Sequence, residues 1–323
     1  MTKKVTFAVN DKIATRDAYG KALVELGREN KDLVVLDADL SKSTKTADFA
    51  KVFPERFFNM GIAEQNLIGF AAGLAAAGKI PFASTFAVFA TGRAFEQIRN
   101  SVAYPQLNVK IAATHAGISV GEDGASHQAV EDLSLMRGLP NMTVLVPADA
   151  QETYQVVKAA AAYQGPVYIR MGRLAVPVLF DDSYNFSIGK ANILRKGSDV
   201  ALIANGLMVG EALRAADKLL EQGIEAAVVN CASLKPLDSE TIIEVAKQTG
   251  AVVTAEEHSI IGGLGSAVAE VLGENYPVPL SRVGIQDTFG ESGRPAELLT
   301  KYGLTAEDII KAAAHVLIRK NSI

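Results

Sequence analysis

The sequence predicts an α/β protein built from two doubly wound α/β domains. Short apolar runs alternate with longer segments of helical periodicity, which is the pattern of parallel strands covered by helices on both faces. The alternation weakens between residues 174 and 199 and then resumes. Because 323 residues are enough for two domains that each bury a core, we predict one domain at residues 1–185 and a second at residues 190–323.

The individual elements follow from two periodicities. In the first domain, apolar residues recur at three- and four-residue intervals in the predicted helices, at 16–28, 62–77, 93–102 and 150–162. Short, mostly aliphatic runs predict strands at 33–36, 81–84, 109–113, 143–146 and 167–170. After the linker the same patterns predict strands at 200–203, 226–229 and 252–255, and helices at 209–221, 239–248 and 306–318, with another helix opened by the glycine-rich turn at 262–265.

Bulk composition restricts the class of protein. Hydrophobic residues make up 49% and charged residues 21% of the chain, at a formal net charge of -4, as in ordinary globular domains. The chain has no basic stripe, which argues against nucleic acid as a partner, and no run of about 18 apolar residues that would span a membrane. Without a signal-peptide pattern, we predict a cytoplasmic protein. The single cysteine, Cys231, excludes an intramolecular disulfide and a cysteine-clustered zinc site.

The segment GIAEQNLIGFAAG, at residues 61–73, places a carboxylate on an apolar stripe. On a helix, Glu64 shares a face with Leu67, Ile68 and Ala71. A carboxylate is costly to bury as an ion, so such a group tends to hold or share a proton, which is useful in acid–base chemistry. The alternative is an exposed glutamate in the first turn that complements the helix dipole.

The loop HAGISVGEDGASHQ, at residues 115–128, follows a predicted strand, where parallel α/β proteins bind ligands. Gly121 and Gly124 would let the backbone fold closely around a polar ligand. A metal site is one interpretation, although the ligand spacing of known metal motifs is absent, and a solvated surface loop is another. The loop's polar side chains that support a binding role are His115, Glu122, Asp123 and His127.

Arginine and hydroxyl side chains stand at the ends of other predicted elements. Arg16 opens the first helix, Ser43 and Thr44 follow the strand that ends in LDADL, and Arg170 and Arg173 close the strand VYIRMGR. Arginine suits bidentate recognition of phosphate or carboxylate groups. Taken alone, each of these side chains is more simply a surface residue.

Two further patterns are set aside. Gly263-Leu264-Gly265 resembles part of a dinucleotide-binding fingerprint, but Val268 stands where the third glycine belongs. The cluster Glu256-Glu257-His258 suggests a metal site, yet three adjacent residues on a strand cannot all face one ion. We predict that this cluster is a solvated strand end, and we assign no metal ligand to the chain.

Several long strings follow one another along the chain: RFFNMGIAEQN, STFAVF, THAGISVGEDGASHQ, PNMTVLVPAD and FGESG. Together they resemble transketolase, from about Ile13 to Val316. In that family a diphosphate-binding, a pyrimidine-binding and a carboxy-terminal domain follow in series, and this chain resembles the second and third. The resemblance implies transfer of a two-carbon ketol unit from a ketose phosphate to an aldose phosphate, with thiamine diphosphate as cofactor.

The resemblance assigns cofactor-binding roles to four residues. Glu64 matches the catalytic glutamate that hydrogen-bonds the pyrimidine nitrogen of thiamine diphosphate and favours its imino tautomer. Phe86 and Phe89 match aromatics that pack on the pyrimidine ring, and Asp39 matches an aspartate near the thiazolium. Gly92 departs from the pattern, because some relatives carry a tyrosine there as a third aromatic contact.

Substrate-binding roles also follow from the resemblance. Asp123 matches the residue that reads a hydroxyl of the sugar donor, and His127 matches a histidine that contacts the substrate during catalysis. A further set matches the groups that hold the sugar phosphate: Arg16, Ser43, His115 and Arg170.

The family's magnesium and diphosphate motif is absent, and the nearest string, Glu122-Asp123-Gly124, belongs to the substrate loop instead. The resemblance therefore implies a separate amino-terminal transketolase subunit that carries the diphosphate-binding domain and the Mg²⁺ ligands. Two copies of each chain would form a heterotetramer. The carboxy-terminal domain of this chain would be largely structural and would contribute to assembly.

Three alternatives stay open. A 1-deoxyxylulose-5-phosphate synthase and the beta subunit of a 2-oxoacid dehydrogenase share the cofactor geometry and a glutamate like Glu64. The strings GEDG and FGESG favour transketolase over both. A non-catalytic regulatory subunit that keeps the fold but has lost turnover is an alternative of a different class. The presence of Glu64, Asp123, His127 and the phosphate-binding residues argues against such a loss of activity.

Overall fold

The computed structural model describes residues 6–322. Its strands, in chain order, are β1 (Lys12–Ala14), β2 (Leu33–Asp37), β3 (Phe57–Asn59), β4 (Ile80–Phe86), β5 (Lys110–Thr114), β6 (Thr143–Leu145), β7 (Val167–Arg170), β8 (Ala175–Pro177), β9 (Asn192–Arg195), β10 (Val200–Ala204), β11 (Ala226–Asn230), β12 (Ser233–Lys235), β13 (Val252–Ser259) and β14 (Leu280–Ile285). Its helices are α1 (Thr15–Glu29), α2 (Ser41–Thr44), α3 (Ala47–Val52), α4 (Glu64–Ala76), α5 (Phe95–Gln97), α6 (Asp132–Arg137), α7 (Ala150–Ala162), α8 (Met208–Glu221), α9 (Ser239–Thr249), α10 (Leu264–Asn275), α11 (Pro295–Lys301) and α12 (Ala306–Lys320).

Two mostly parallel sheets form the two halves of the molecule. The first has the strand order β12-β6-β7-β5-β4-β2-β3, and the second has the order β14-β13-β10-β11-β9. Only the edge strands β12 and β9 run antiparallel to their neighbours. Central strands such as β2, β5 and β10 are buried along their whole length, as expected when helices cover both faces of a parallel sheet. The predicted fold class is confirmed.

The two halves are joined by more than the linker. Strand β12 belongs to the carboxy-terminal half of the sequence but pairs with β6 at the edge of the first sheet. One hydrophobic cluster contains Val144 of the first sheet and Ile203 and Leu264 of the second half. A small antiparallel pair, β1 with β8, ties the start of the described chain to the start of the linker. The first sheet is therefore completed by residues that lie beyond the linker.

Most predicted elements lie where the periodicity placed them, and residues 93–102 are the main difference. In place of one α-helix, the chain forms wide π-helical turns at Phe89–Arg93 and Ile98–Ala103 around the short helix α5. Such turns contain one more residue per hydrogen-bonded ring than an α-helix and are often found at functional sites. Within the described residues, no helix is both long and apolar enough to cross a membrane.

The interpretation of Glu256, Glu257 and His258 as a solvated strand end is wrong. All three are buried at the end of β13. The Glu256 carboxylate accepts hydrogen bonds from the Leu264 and Gly265 amides at the start of α10. Because these two amides are already bonded, they are not available to a nucleotide phosphate.

Candidate active site at the carboxyl edge of the first sheet

The candidate site residues gather where the central strands of the first sheet end. Strand β2 leads into the turn that carries Asp39 and Ser43, β4 ends at Phe86, and β5 is followed directly by His115. These three strands are parallel neighbours, so their carboxyl ends lie side by side at one edge. Ligands bind at this edge in parallel α/β proteins.

Glu64 is buried at the start of α4, with 1% of its surface exposed. Its Oε2 lies 2.8 Å from Nη1 of Arg93, whose side chain is half exposed. Arg93 also lies over the Phe89 ring, with its guanidinium carbon 4.8 Å from the ring centroid. The burial predicted for Glu64 is present, but the carboxylate has a cationic partner. Arg93 was not identified from the sequence because it lies 29 residues away, where the pattern indicated only a helix start.

Four aromatic rings form a contiguous cluster beside this pair, in which Phe86 and His115 are buried while Phe89 and His127 are partly exposed. Phe86 stacks on His115 with ring centroids 3.8 Å apart, and on Phe89 at 5.9 Å. His127 meets Phe89 edge-on at 5.3 Å. The structure therefore brings together predicted site residues from β4 and from the 115–128 loop. A flat ring could lie against such a cluster by stacking.

His115 is held as a neutral ring. Its Nε2 lies 3.3 Å from Nη1 of Arg16, and because arginine only donates, Nε2 must accept. Nδ1 then carries the proton and donates to Oγ1 of Thr114 at 2.9 Å. Burial, with the positive charges of Arg16 and Arg173 nearby, lowers the pKa of His115 to about 3. Both ring nitrogens are therefore bonded within the chain, and the ring carries no charge to an anion.

Arg16 and Arg173 supply the positive charge. Arg16 donates to the backbone carbonyl of Ser43 at 2.9 Å, while its buried Nε has no partner. A buried donor without an acceptor is costly, so a ligand oxygen would satisfy it. Arg173 donates to Oε2 of Glu122 at 2.8 Å and is close enough to Arg16 to lower its pKa, behind burial as the main cause. Arg173 therefore lies near Arg16 and provides a second positive charge at this edge of the sheet.

Arg170 lies apart from these two arginines. It is buried, with Nε 2.8 Å from Oδ2 of Asp132 and Nη2 donating to the carbonyls of Ala129 and Glu257. Burial works to lower the pKa of Arg170, but the charge of Asp132 outweighs it and the pKa is raised. The guanidinium is thus committed to groups of this chain. The sequence string VYIRMGR indicates both Arg170 and Arg173 as candidates, and only the fold shows that Arg173 is the one near Arg16.

The turn after β2 is built around Asp37. This buried carboxylate accepts hydrogen bonds from the Leu40 amide and from the hydroxyls of Thr44 and Thr46. The same turn places Asp39 at a left-handed φ of 64°, where its carboxylate accepts from the side-chain amide of Asn59 at 2.9 Å. Asp39 and Ser43 are therefore presented on a turn with a fixed shape.

The remaining candidates, Asp123 and His127, lie on the loop that begins at His115. Asp123 is exposed at the end of a 3₁₀ turn, Ile118–Asp123, and His127 shares a hydrogen bond of 3.0 Å with the Ser126 hydroxyl. Gly121 and Gly124 adopt φ values of 82° and 76°, which favour glycine. Within residues 6–322, no group of three or more His, Cys, Asp or Glu side chains is placed to hold a metal ion.

Comparison with known protein families gives two matches. The model for the transketolase pyrimidine binding domain matches residues 11–178, and the model for the transketolase C-terminal domain matches residues 189–309. Together they extend over most of the chain.

Individual relatives agree with these matches. A Methanocaldococcus jannaschii protein described as a transketolase C-terminal section is 56% identical over 299 residues, covering 92% of this chain and 94% of that protein. A 6-deoxy-6-sulfo-D-fructose transketolase subunit from Clostridium sp. (strain MSTE9) is 47% identical, covering 95% of each chain. A solved structure described as a split gene transketolase, inactive beta4 tetramer, is 65% identical with a TM-score of 0.90, covering 95% of this chain and 99% of that chain.

Proposed function

The chain belongs to the transketolase family, and we propose that it is the carboxy-terminal subunit of a split transketolase. In this proposal it transfers a two-carbon ketol unit from a ketose phosphate to an aldose phosphate, using thiamine diphosphate. The observation that carries the proposal is the buried Glu64 carboxylate beside the stacked rings of Phe86 and Phe89, at the sheet edge where Arg16 and Arg173 gather.

These residues fit the pyrimidine end of thiamine diphosphate. The partly exposed Phe89 ring, stacked on the buried Phe86, offers a face for a flat heterocycle, and Glu64 offers a carboxylate for a hydrogen bond with a ring nitrogen. A Cβ at Gly92 would meet nothing within 4 Å, so the position without the tyrosine of some relatives is open space. When bound, thiamine diphosphate supplies the carbon nucleophile and stabilises the negative charge that ketol transfer generates.

The sugar phosphate is assigned to the cationic part of the site. Arg16 and Arg173 would bind the phosphate oxygens, with the orphaned Nε of Arg16 as one donor, and the neutral His115 ring would orient Arg16 by accepting its hydrogen bond. Asp123 and His127 would contact sugar hydroxyls, and His127 would hold or move a proton there. Two guanidinium groups would also bind a sulfonate, so the proposal covers ketoses with a terminal anionic group.

The cofactor's diphosphate and its Mg²⁺ are assigned to a separate amino-terminal subunit. Support comes from the family models, which match a pyrimidine-binding and a C-terminal domain, and from the relatives described as a C-terminal section and a split gene transketolase. We propose a heterotetramer with two copies of each subunit, so that each site lies between subunits.

Substitution of the central carboxylate tests the proposal. In the mixture with the amino-terminal subunit, thiamine diphosphate and Mg²⁺, Glu64→Gln should lower kcat for ketol transfer at least about 100-fold, because proton transfer of this kind contributes about 10² to 10⁴. Glu96→Gln is the matched control, since Glu96 is exposed and bonded only to Gln97 and Asn100. Unchanged turnover in Glu64→Gln would remove Glu64 from the catalytic site.

A further inference from the structure

The 115–128 loop, which carries three of the candidate site residues, rests on the carboxy-terminal half of the chain. At its first turn, the amide of Ser119 donates to Oε1 of Glu257 at 2.6 Å. Gly117 lies so close to this carboxylate that an added Cβ would overlap it, and its φ of 81° also favours glycine. Glu257 therefore supports the loop backbone directly from β13.

The far end of the loop has a second support. Gln128 donates from its side-chain amide to the carbonyl of Glu291 at 2.9 Å, and the Ser292 hydroxyl donates to the carbonyl of Glu122 at 2.6 Å. Gly124 lies against Ser292, with only ordinary contact space for a Cβ. The FGESG segment thus holds the stretch that presents Asp123.

The backbone of Glu257 is also bonded to the first half of the chain. Arg170 donates to the Glu257 carbonyl at 2.8 Å and to Asp132, and Glu257 is buried beside this pair. Buried acceptors of this kind are well ordered when their bonds are satisfied. Arg170, set apart from the phosphate-binding groups by the fold, connects the two halves beneath the loop.

We infer that Glu257 is a positioning residue for the substrate loop, and that the carboxy-terminal domain thereby sets how tightly the sugar donor is bound. The identity of the ligand rests on the proposed function. The clamp, meaning the contacts of Glu257 and Ser292 with the 115–128 loop, is a property of the chain itself. It changes the expectation that this domain is largely structural. Glu257 touches neither substrate nor cofactor; it acts through the backbone between His115 and Asp123.

The test compares two neighbouring buried glutamates. Glu257→Ala removes the acceptor of the Ser119 amide, whereas Glu256→Ala removes the acceptor of the Leu264 and Gly265 amides inside the carboxy-terminal domain. Both should lower thermal stability. Only Glu257→Ala should raise KM for the ketose phosphate, about tenfold, with kcat changed much less, because the Ser119 amide in the loop is left without its acceptor. Glu257→Gln keeps a carbonyl oxygen and should recover most of the wild-type KM.

Amide hydrogen exchange on the full chain provides a readout that needs no sugar phosphate. In Glu257→Ala the Ser119 amide should exchange at least tenfold faster, while the amides at the start of α10 keep their protection; Glu256→Ala should show the reverse. Ser292→Ala, at an exposed position that will not prevent folding, should speed exchange near Gly124 and raise KM about threefold.

The outcomes separate this inference from the proposed function. If the Ser119 amide exchanges faster in Glu257→Ala, but the wild-type chain mixed with the amino-terminal subunit shows no ketol transfer, the positioning role of Glu257 stands and the proposed function is overturned. Equal KM effects in the Glu256 and Glu257 variants, or unchanged exchange at Ser119, would overturn the clamp even in an active enzyme. If Glu257→Ala does not fold, wild-type KM and exchange in Ser292→Ala would overturn it.

Discussion

Among individual side chains, the two arginines at the end of β7 have different surroundings despite being only three residues apart. Arg173 reaches Glu122 and the cationic part of the candidate site, while Arg170 is enclosed by Asp132 and two backbone carbonyls. Removing one member of a buried ion pair leaves the other charge without compensation. Arg173 is only partly buried and donates to Glu122 and to the Val120 carbonyl, so its loss leaves no buried charge unpaired.

Substitution of each arginine by methionine should therefore separate binding from stability. Arg170→Met should lower the free energy of unfolding by about 3–5 kcal/mol, because Asp132 is left buried and unpaired. Arg173→Met should lower stability much less, by about 1 kcal/mol for its lost hydrogen bonds, but raise KM for the ketose phosphate roughly tenfold. Urea unfolding and steady-state kinetics measure both quantities. A wild-type KM in Arg173→Met would show that Arg173 does not bind the phosphate, which would then have to bind elsewhere in the site.

The neutral state of His115 gives a prediction on pH. Its folded pKa, about 3, lies below the ordinary value of 6.5, so between these pH values the unfolded chain binds more protons than the folded one. The contribution of His115 to stability is complete above about pH 6.5 and declines as the pH falls toward 3. NMR of the imidazole nitrogens should show no titration of this ring between pH 5 and 8, whereas a midpoint near 6.5 would show that the ring is not desolvated as described.

Local pattern identified some of these side chains and missed others for a definite reason. Glu64 was identifiable because its apolar neighbours recur on its own helix, and His115 because it follows a strand directly. Arg93 pairs with Glu64 only through tertiary structure. The burial of Glu257 depends on the Ser119 amide, 138 residues away in sequence, so three adjacent charged residues looked like a solvated strand end.

Among the secondary-structure elements, the amino-terminal end of α7 fixes the linker between the two sheets. Asp149 caps the helix and also accepts hydrogen bonds from the Leu179 and Phe180 amides. Glu152, one turn further, accepts from the Tyr184 hydroxyl and from the side-chain amide of Asn230. A single helix end thereby binds the linker and β11.

The burial of Glu152 predicts that part of the chain's stability depends on pH. Burial raises the pKa of Glu152 to about 7, above its ordinary value of 4.5, so the folded chain binds more protons between these values. Stability from this group is complete below about pH 4.5 and is lost as the pH rises through 7. The free energy of unfolding of the wild type, measured relative to Glu152→Gln, should therefore fall by up to about 3 kcal/mol across this range. Parallel stability curves for the two proteins would assign the pH dependence elsewhere.

Sequence periodicity predicts the elements that have a long, regular pattern. It does not predict short strands that form only because they pair with another strand. The bounds of α7 and β7 agree with the prediction, because α7 has helical spacing over several turns and β7 is a short run of buried, strand-favouring residues. Strand β14 was missed because its first half is polar and partly exposed. Strand β12 has three residues and exists through its pairing with β6, on the other side of the linker.

In the whole molecule, the two halves share a hydrophobic core, and the loop that carries part of the candidate site rests on residues of the second half. Glu257 and Ser292 support the loop of the first half from the second, and β12 closes the edge of the first sheet. Fold class and family could be predicted from the sequence, since both rest on patterns spread along the chain. The supports beneath the loop could not, because each joins residues that only the packed domains bring together.

The proposal that this chain supplies the pyrimidine side of a two-subunit enzyme can be examined by reconstitution. A fixed amount of the chain is titrated with the amino-terminal subunit in the presence of thiamine diphosphate and Mg²⁺, and transfer from xylulose 5-phosphate to ribose 5-phosphate is measured, with pyruvate as an alternative donor. We expect no transfer by either chain alone, a rise that saturates at equimolar subunits, and no product from pyruvate. Full activity of this chain by itself would contradict the account, and product from pyruvate would point to the synthase or dehydrogenase chemistry instead.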